Sequence, residues 1–536
     1  MRPFLTLHQP ALARKFYREA LWTEDSFYSL ALQHAQQRPD ASALRDGSHQ
    51  WTWAEVVQRA DALATQFNAA GLKPGDRVSL WLGNHAAAVV AFIACSRGGY
   101  VCNPSLHRSY TNAEVRTLLD RLGSAALITE PGWGVHGAAQ VLEAPAPQGS
   151  ALRAVYADPR SFPRQVPLAE LPLRADDPDA VAYMAFTSGT TGPPKCVMHS
   201  ANTLMANARD MVRDWGLSQD ARLLSLSPLS HHIAWVGVSQ WLLTGCEFCT
   251  DDPPAGVDRL DWIIKTGATY VMGVPTHAVD VLALQRQRGV ERLGDVRTFY
   301  MAGSPIPPSV AEAFVEQGIK PQNVYGMTEN SSHQYTHPDD TDVIATTTCG
   351  RGGPAYEIKI FDPANTDVEL PVGEAGEIGG RGAALMLGYY ANQAATVGSF
   401  NRDGWFMSGD LGSIDERGHL TVCGRSKDLI IRGGHNIHPA HIEALALRHP
   451  QLDKVAVVPV PDERLGEKVC IVIVGAMAAD ALLAFLDQQG LSRHDRPEYF
   501  LRVDVFPLTA SGKVLKRELI ADLRAGNLKP ELVART

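Results

Sequence analysis

One ten-residue stretch constrains this chain more than any other: Phe186-Thr-Ser-Gly-Thr-Thr-Gly-Pro-Pro-Lys195, set between an apolar run (Val181 to Phe186) and a second apolar patch (Cys196 to Met198). Gly189 and Gly192 allow a ligand close to the backbone and take φ values that other residues resist. Thr187, Ser188, Thr190 and Thr191 offer hydroxyls, and Lys195 a compact positive charge. Together these read as a cradle for a polyphosphate. The spacing is not G-x-x-x-x-G-K-[ST], and apolar residues rather than a helix start follow the lysine. A Gly/Thr-rich surface hairpin is the plainer alternative, and the specificity of the string argues against it.

With 536 residues the chain exceeds one ordinary core, so two or more domains are expected. The net charge of −9 comes without a basic tract, which argues against nucleic acid or an anionic membrane as partner. Among eight cysteines only Cys246 and Cys249 are close, and a lone C-x-x-C in an apolar run reads as buried thiols rather than a metal site. The N-terminal stretch lacks a signal-peptide core; Arg2, Arg14, Lys15 and Arg18 before Glu19 are a weak organelle-targeting signal. The longest apolar segment, Ala86 to Cys95, is too short to span a bilayer. The expected compartment is the cytosol (cytoplasmic), without stable membrane insertion.

Thr52-Trp-Ala-Glu55 is a capping box, followed by Val56, Val57, Ala60, Leu63, Ala64 and Phe67 at helical spacing up to Gly71. Arg77 to Leu82 reads as a strand, Ala86 to Arg97 as a helix, Tyr100 to Asn103 as a strand; the alternation predicts an α/β sheet. Leu204, Ala208, Met211, Val212 and Trp215 mark a helix after the Gly/Thr loop; Leu223 to Leu226, Thr269 to Gly273 and Thr298 to Ala302 read as strands. Pro and Gly become dense between Pro354 and Gly388, which predicts a smaller β-rich subdomain. After Gly424 the pattern changes to a compact α+β unit: helix 442–447, strands 455–460 and 469–474, helix 479–489, strand 499–505, helix 514–523.

The Gly/Thr loop resembles the phosphate loop of the adenylate-forming (ANL) superfamily, and further motifs occur in that family's order. Pro228-Leu-Ser-His231 is similar to the motif bordering the acyl pocket. Tyr325-Gly-Met-Thr-Glu329 resembles the adenine and magnesium motif, Trp405-Phe-Met-Ser-Gly-Asp410 the ribose segment, Gly424-Arg-Ser-Lys to Pro439 the hinge region, and Pro507-Leu-Thr-Ala-Ser-Gly-Lys513 the catalytic-lysine loop. The resemblance covers roughly residues 25 to 525. It implies an AMP-binding N-terminal domain (1–424), a hinge (425–428) and a small mobile C-terminal domain (429–536).

It further implies an enzyme that uses ATP, Mg2+ and coenzyme A to turn a carboxylic acid into its CoA thioester through an acyl adenylate. A carboxylate oxygen is a poor leaving group, whereas AMP is a good one, so such a site needs cations and amide donors around the phosphates. Thr187, Glu329, His231 and Lys513 form the implied catalytic set, with Glu329 as magnesium ligand. The implied nucleotide and CoA set adds Ser188, Gly189, Thr190, Thr191, Lys195, the Gly303-Ser304-Pro305 turn, Tyr325, Gly326, Met327, Thr328, Asp410, Arg425, Gly433 and Gly434. A tyrosine face suits adenine, an ionised Asp410 suits two ribose hydroxyls, and Arg425 can reach ribose or phosphate. Lys427 is the implied hinge residue, and His231 the gate between acyl pocket and thiol channel. Cys196, His435 and Ser408 depart from the usual glycine, glutamate and threonine.

Amino-acid-activating relatives carry an aspartate just after the pocket motif. Ser227 to Gly237 contains no acid, so a buried ammonium would be unpaired at a cost of several kcal/mol. An uncharged acyl group follows, lined by His231, Trp235, Val236, Pro275, Met327 and His333. The nearest resemblance is to bacterial short- and medium-chain and cyclohexanecarboxylate-type ligases. An aryl-acid CoA ligase, and a free-standing adenylating enzyme that loads a carrier protein, are the alternatives; homodimer formation is left open.

Two substitutions should split the half-reactions. Lys513→Ala is expected to slow adenylate formation by about two to three orders of magnitude, as for removal of one preorganised charge stabiliser, while thioester formation from synthetic acyl-AMP changes much less. Lys427→Pro, which fixes φ and removes an N–H, should spare adenylation and depress CoA transfer. Rapid-quench assays of each step check both; equal losses in both steps would remove these assignments.

Overall fold

The alternating strand and helix signals become, in a computed structural model, two twisted sheets with helices on both faces. The structure describes residues 5–7, 9–135, 137, 150–158, 162, 171–187, 194–304, 306–433, 435–449, 451–452, 454–508 and 514–533. Among these, an eight-stranded sheet runs in the order Ser331–Tyr335, Lys320–Met327, Thr298–Ala302, Tyr270–Gly273, Arg222–Ser225, Glu247–Thr250, Ser42–Arg45, Gln50–Thr52. Its inner strands are parallel and the outermost pair at each end is antiparallel. A six-stranded sheet runs Ala154–Tyr156, Ser124–Thr129, Arg77–Trp81, Val101–Asn103, Val181–Phe186, Cys196–Ser200, parallel until its last pair.

Position between the sheets explains why one helix lacks a polar stripe. Helix Ala86–Arg97 is buried along its whole length, and a helix apolar all round belongs inside. It shares one core cluster with helices Trp53–Ala69, Ala201–Asp214 and His232–Thr244 and with side chains of both sheets, Val78 and Leu80 from one, Phe248 and Met272 from the other. Trp53 stacks on Trp241 there, ring centroids 4.6 Å apart. The capping box is present: Thr52 accepts from Glu55 N, and Glu55 accepts from Thr52 N.

Parallel strands place their carboxyl ends, and the loops after them, on one edge, where open α/β sheets bind ligands. Thr187 follows Val181–Phe186, the Ser227–His231 turn follows Arg222–Ser225, Gly303 follows Thr298–Ala302, and Thr328 and Glu329 follow Lys320–Met327. Four of the motif segments thus lie at carboxyl ends of strands in the two sheets.

The expected β-rich subdomain is a five-stranded antiparallel sheet, Asn365–Glu369, Tyr356–Asp362, Gly376–Gly382, Phe406–Ile414, Leu420–Arg425. A 3-10 turn, Ser426–Asp428, separates it from the C-terminal sheet built on Val455–Asp462, Gly466–Val474 and Tyr499–Val503. Helices Pro439–Ala446 and Ala479–Gln488 cover one face of that sheet and Lys516–Ala525 the other. The last helix begins two residues later than its apolar pattern suggests, because Val514 bridges to Leu508 and Leu515 N donates to Pro507 O at 2.8 Å. Cys246 and Cys249 are buried and unbonded to each other. No described helix is long and apolar enough to cross a membrane.

Candidate active site

Thr187 and Lys195 close the Gly/Thr loop from either side. Phe186 pairs with Cys196 across two antiparallel strands, and Thr187 N donates to Lys195 O at 2.8 Å. The strands that flank the loop therefore pair as a hairpin up to Thr187 and Lys195. Ser188, Gly189, Thr190 and Thr191 lie outside the described residues, as do Pro305, Gly434 and Lys513. Cys196, the departure after the loop, is a buried strand residue whose thiol burial pushes up to about 12, which keeps it an unreactive thiol at neutral pH.

Lys195 reaches across to Tyr389. Its Nζ lies 4.4 Å from the ring centroid and 3.5 Å from the hydroxyl, and that hydroxyl donates to Glu329 Oε1 at 2.8 Å. Tyr389 escaped the sequence reading; its one signal was a Gly-Tyr-Tyr sequence just after the Pro/Gly-dense stretch. The backbone explains its position: Leu387 N donates to Met198 O at 2.8 Å, Met198 N to Gly388 O at 3.0 Å, and Tyr390 N to Cys196 O at 2.7 Å. The segment lies alongside the second hairpin strand and carries the phenol from the lysine to the glutamate.

Glu329 is half-buried, and burial pushes its carboxyl above the ordinary glutamate range, while the Tyr389 hydrogen bond and the Lys195 charge pull it back. A desolvated carboxylate oxygen is a hard donor that gains from a divalent cation. The donor chemistry fits Mg2+, and Glu329 is a side chain that could hold it. Thr328 is fixed through its carbonyl, which accepts from His199 Nε2 at 2.7 Å; burial lowers His199 to about 4, so this ring is neutral.

The second centre is Asp410, 7% exposed. It accepts from the Tyr325 hydroxyl at 2.9 Å and from Arg425 Nε at 3.0 Å, its partner across the strand pair. Ser408 Oγ accepts from its backbone N–H at 3.1 Å, so the serine keeps the hydroxyl that a threonine would supply. Tyr325 is buried with its hydroxyl engaged by Asp410 and its ring edge-on to His333. Gly326 has no alternative: an added Cβ would lie 1.7 Å from the backbone oxygen of Ser331, itself held at φ +58. Gly303 and Ser304 form the turn after Ala302.

Lys427 lies in the 3-10 turn. Next to it Ser426 Oγ donates to Gly409 O at 3.0 Å, and Gly424 lets Ala440 of the C-terminal unit within 3.3 Å of where a Cβ would sit. Gly433 N donates to Leu465 O at 2.7 Å, and His435 contacts Asp495 at 3.1 Å, both inside the small domain.

On the acyl side His231 precedes helix His232–Thr244 and stacks on His107, centroids 4.4 Å apart and planes 22° apart. His232 contacts the Tyr183 hydroxyl and Ser331 Oγ at 3.3 and 3.2 Å, and burial lowers it to about 3. The remaining pocket candidates fall into separate packing environments. Trp235 and Val236 belong to the inter-sheet core, the indole against Phe92 and donating to Leu229 O at 2.7 Å. Pro275 is the buried first residue of helix Pro275–Arg288. Met327 packs with Val197, Met386, Tyr389 and Phe406, and His333 lies between Tyr325 and Tyr356.

Gly326→Ala should force apart the Tyr325-to-Ser331 turn and lower ATP affinity by at least tenfold, about 1.4 kcal/mol. Titration calorimetry checks it; wild-type affinity would detach this turn from nucleotide binding.

The model of the AMP-binding enzyme family matches residues 32–390, and that of the AMP-binding enzyme C-terminal domain matches residues 441–513. The chain is 28% identical to the medium-chain fatty-acid–CoA ligase of Escherichia coli (strain K12), across 98% of this chain and 94% of that protein. It is 32% identical to the feruloyl-CoA synthase of an Amycolatopsis species, across 92% of this chain and 98% of that protein. Among solved structures, ATP-bound MatB from Rhodopseudomonas palustris superposes with a TM-score of 0.83 at 27% identity, covering 93% of this chain and 99% of that one. The motif order, the site geometry and these matches agree: the chain belongs to the AMP-binding enzyme family of the adenylate-forming (ANL) superfamily.

Proposed function

We propose that the chain is an AMP-forming carboxylic acid–CoA ligase acting on a compact apolar acid of medium-chain or alicyclic type. The acid's carboxylate oxygen attacks the α-phosphorus of ATP, the bond to pyrophosphate breaks, and acyl-AMP forms. The CoA thiol then attacks the acyl carbonyl, the C–O bond to AMP breaks, and the thiol proton is released. Thr187, Lys195 and the rest of the loop hold the phosphates, and Asp410 with Arg425 holds the ribose. Mg2+ on Glu329 would supply charge at the phosphate oxygens. Lys513 serves the first step, and rotation about Lys427 brings Gly433 and Gly434 toward the pantetheine arm for the second. The enzyme meets its free acid, ATP and CoA in the cytosol.

The observation that supports an uncharged acyl group is the absence of an acid from the turn it would pass. Ser227 to Gly237 has no acid, and burial holds His232 within it and His107 packed against it far below ordinary values, at about 3 and 4. An ammonium would meet no counter-charge there, whereas a hydrocarbon loses nothing. A second reading, an aryl acid, is favoured by the feruloyl-CoA synthase relative.

CoA-dependent AMP release over C2 to C16 fatty acids, cyclohexanecarboxylate, benzoates and amino acids tests the reading. Each fitting methylene should improve binding by about 0.8 kcal/mol until the pocket is full. Preference for an amino acid or for C16 would refute it, and preference for benzoates would select the aryl reading. A phosphopantetheinylated carrier protein offered beside CoA should be the poorer acceptor.

A further inference from the structure

Away from the nucleotide, a dense group of charges lies where the two large sheets meet. His85, just past strand Arg77–Trp81, contacts Glu130 Oε2 through Nε2 at 2.7 Å and Asp252 Oδ2 through Nδ1 at 2.9 Å. Hydrogen bonds to Asp252 and Glu130 raise it to about 10, so the ring is a cation that donates from both nitrogens. Glu130 Oε1 also accepts from Gly83 N at 2.7 Å, and Asp46 Oδ2 from Ala86 N at 3.0 Å. Asp46, His85 and Asp252 bring potential ligand atoms within 4.8 Å of one another. Because each ring nitrogen faces a carboxylate oxygen, His85 clamps Glu130 and Asp252 together.

Asn84 lies in the chain between Gly83 and His85, both of which are bonded to this cluster. Asn84 Oδ1 accepts from Leu229 N at 2.9 Å, and its Nδ2 donates to Asp251 O at 3.2 Å. Leu229 lies in the acyl-side turn, which is otherwise held by Trp235 Nε1 on Leu229 O at 2.7 Å, His231 N on Pro228 O at 2.8 Å and His107 Nδ1 at 3.0 Å from Ser230 Oγ. Asn84 leaves the sheet that carries the Gly/Thr loop hairpin, whereas the acyl-side turn leaves the other sheet. The Asn84–Leu229 bond thus ties the acyl-side element to the phosphate-side sheet. The first chemical step joins an atom held by one to an atom held by the other.

We propose that Asn84 is a positioning residue, setting the Pro228–His231 turn against the phosphate-loop sheet while the His85 clamp holds it in place. Misplacement of a reacting group by 1 Å can cost about a hundredfold in rate, so a bond at this junction bears on kcat. The proposal rests on the ligase reading above.

The full-length protein tests it with Asn84→Ala and Asn84→Asp. By hydrogen exchange, the Leu229 amide in Asn84→Ala should exchange about tenfold faster, the scale of one lost neutral hydrogen bond. Asn84→Asp keeps an acceptor and should restore protection. In acid-dependent ATP–pyrophosphate exchange, Asn84→Ala should lower kcat by about ten- to a hundredfold, with KM for ATP within about twofold of wild type. Asn84→Asp should recover most of that loss. Unchanged exchange at Leu229, or faster exchange with wild-type kcat, overturns the proposal. Should Asn84→Ala not fold, His85→Gln must lower kcat in the same way, and wild-type kinetics there overturns it too. Absence of activity in the wild type with every acid refutes the ligase reading instead, and Leu229 exchange then reports on the hydrogen bond alone.

Discussion

The candidate site depends on one line of contacts, Lys195 to Tyr389 to Glu329. The lysine closes a hairpin in the six-stranded sheet, the glutamate follows a strand of the eight-stranded sheet, and the tyrosine arrives beside the hairpin from the segment between strands Gly376–Gly382 and Phe406–Ile414 of the β-rich subdomain. An ionised Glu329 would not be comfortable alone, since burial already raises its carboxyl. The phenol hydrogen bond and the nearby ammonium offset that cost without neutralising the glutamate fully, which leaves it suited to a cation. A lysine over a tyrosine face gains about 0.5–2 kcal/mol, more as water is excluded. Removal of any one of the three would change the electrostatics seen by the other two.

The Asp410 centre is built on the same logic. Tyr325 comes from the eight-stranded sheet, Asp410 and Arg425 from the five-stranded one, and the 3-10 turn begins at the next residue, Ser426. A ligand held by Asp410 would therefore touch the junction through which the C-terminal unit is attached. Close packing of Gly424 against Ala440 places that unit directly on the junction.

What could be read from the chain alone follows the range of the forces involved. The Thr52 capping box and the fully apolar Ala86–Arg97 helix are local and were legible residue by residue. So were the motif strands, because two-sided burial writes a continuous apolar run. Tyr389 and Asn84 were not legible, because each acts through partners far away in the sequence: Glu329 and Lys195 for one, Leu229 and Asp251 for the other. Trp235 shows the opposite difficulty. A bulky ring beside a pocket motif suggests a pocket wall, yet its helix turns it onto Phe92 in the core. The start of the last helix was misjudged because Val514 and Leu515 have strand-like partners at Leu508 and Pro507.

The central claim is that the acid becomes activated by forming a bond to the α-phosphorus of ATP. Carboxylate labelled with oxygen-18 gives the most direct test, because the bridging oxygen of an acyl adenylate comes from the acid and departs with AMP. Turnover with labelled acid, ATP and CoA, followed by mass spectrometry of the nucleotide, should give AMP carrying one labelled oxygen and unlabelled pyrophosphate. Label appearing in inorganic phosphate, or AMP without label, would contradict the account.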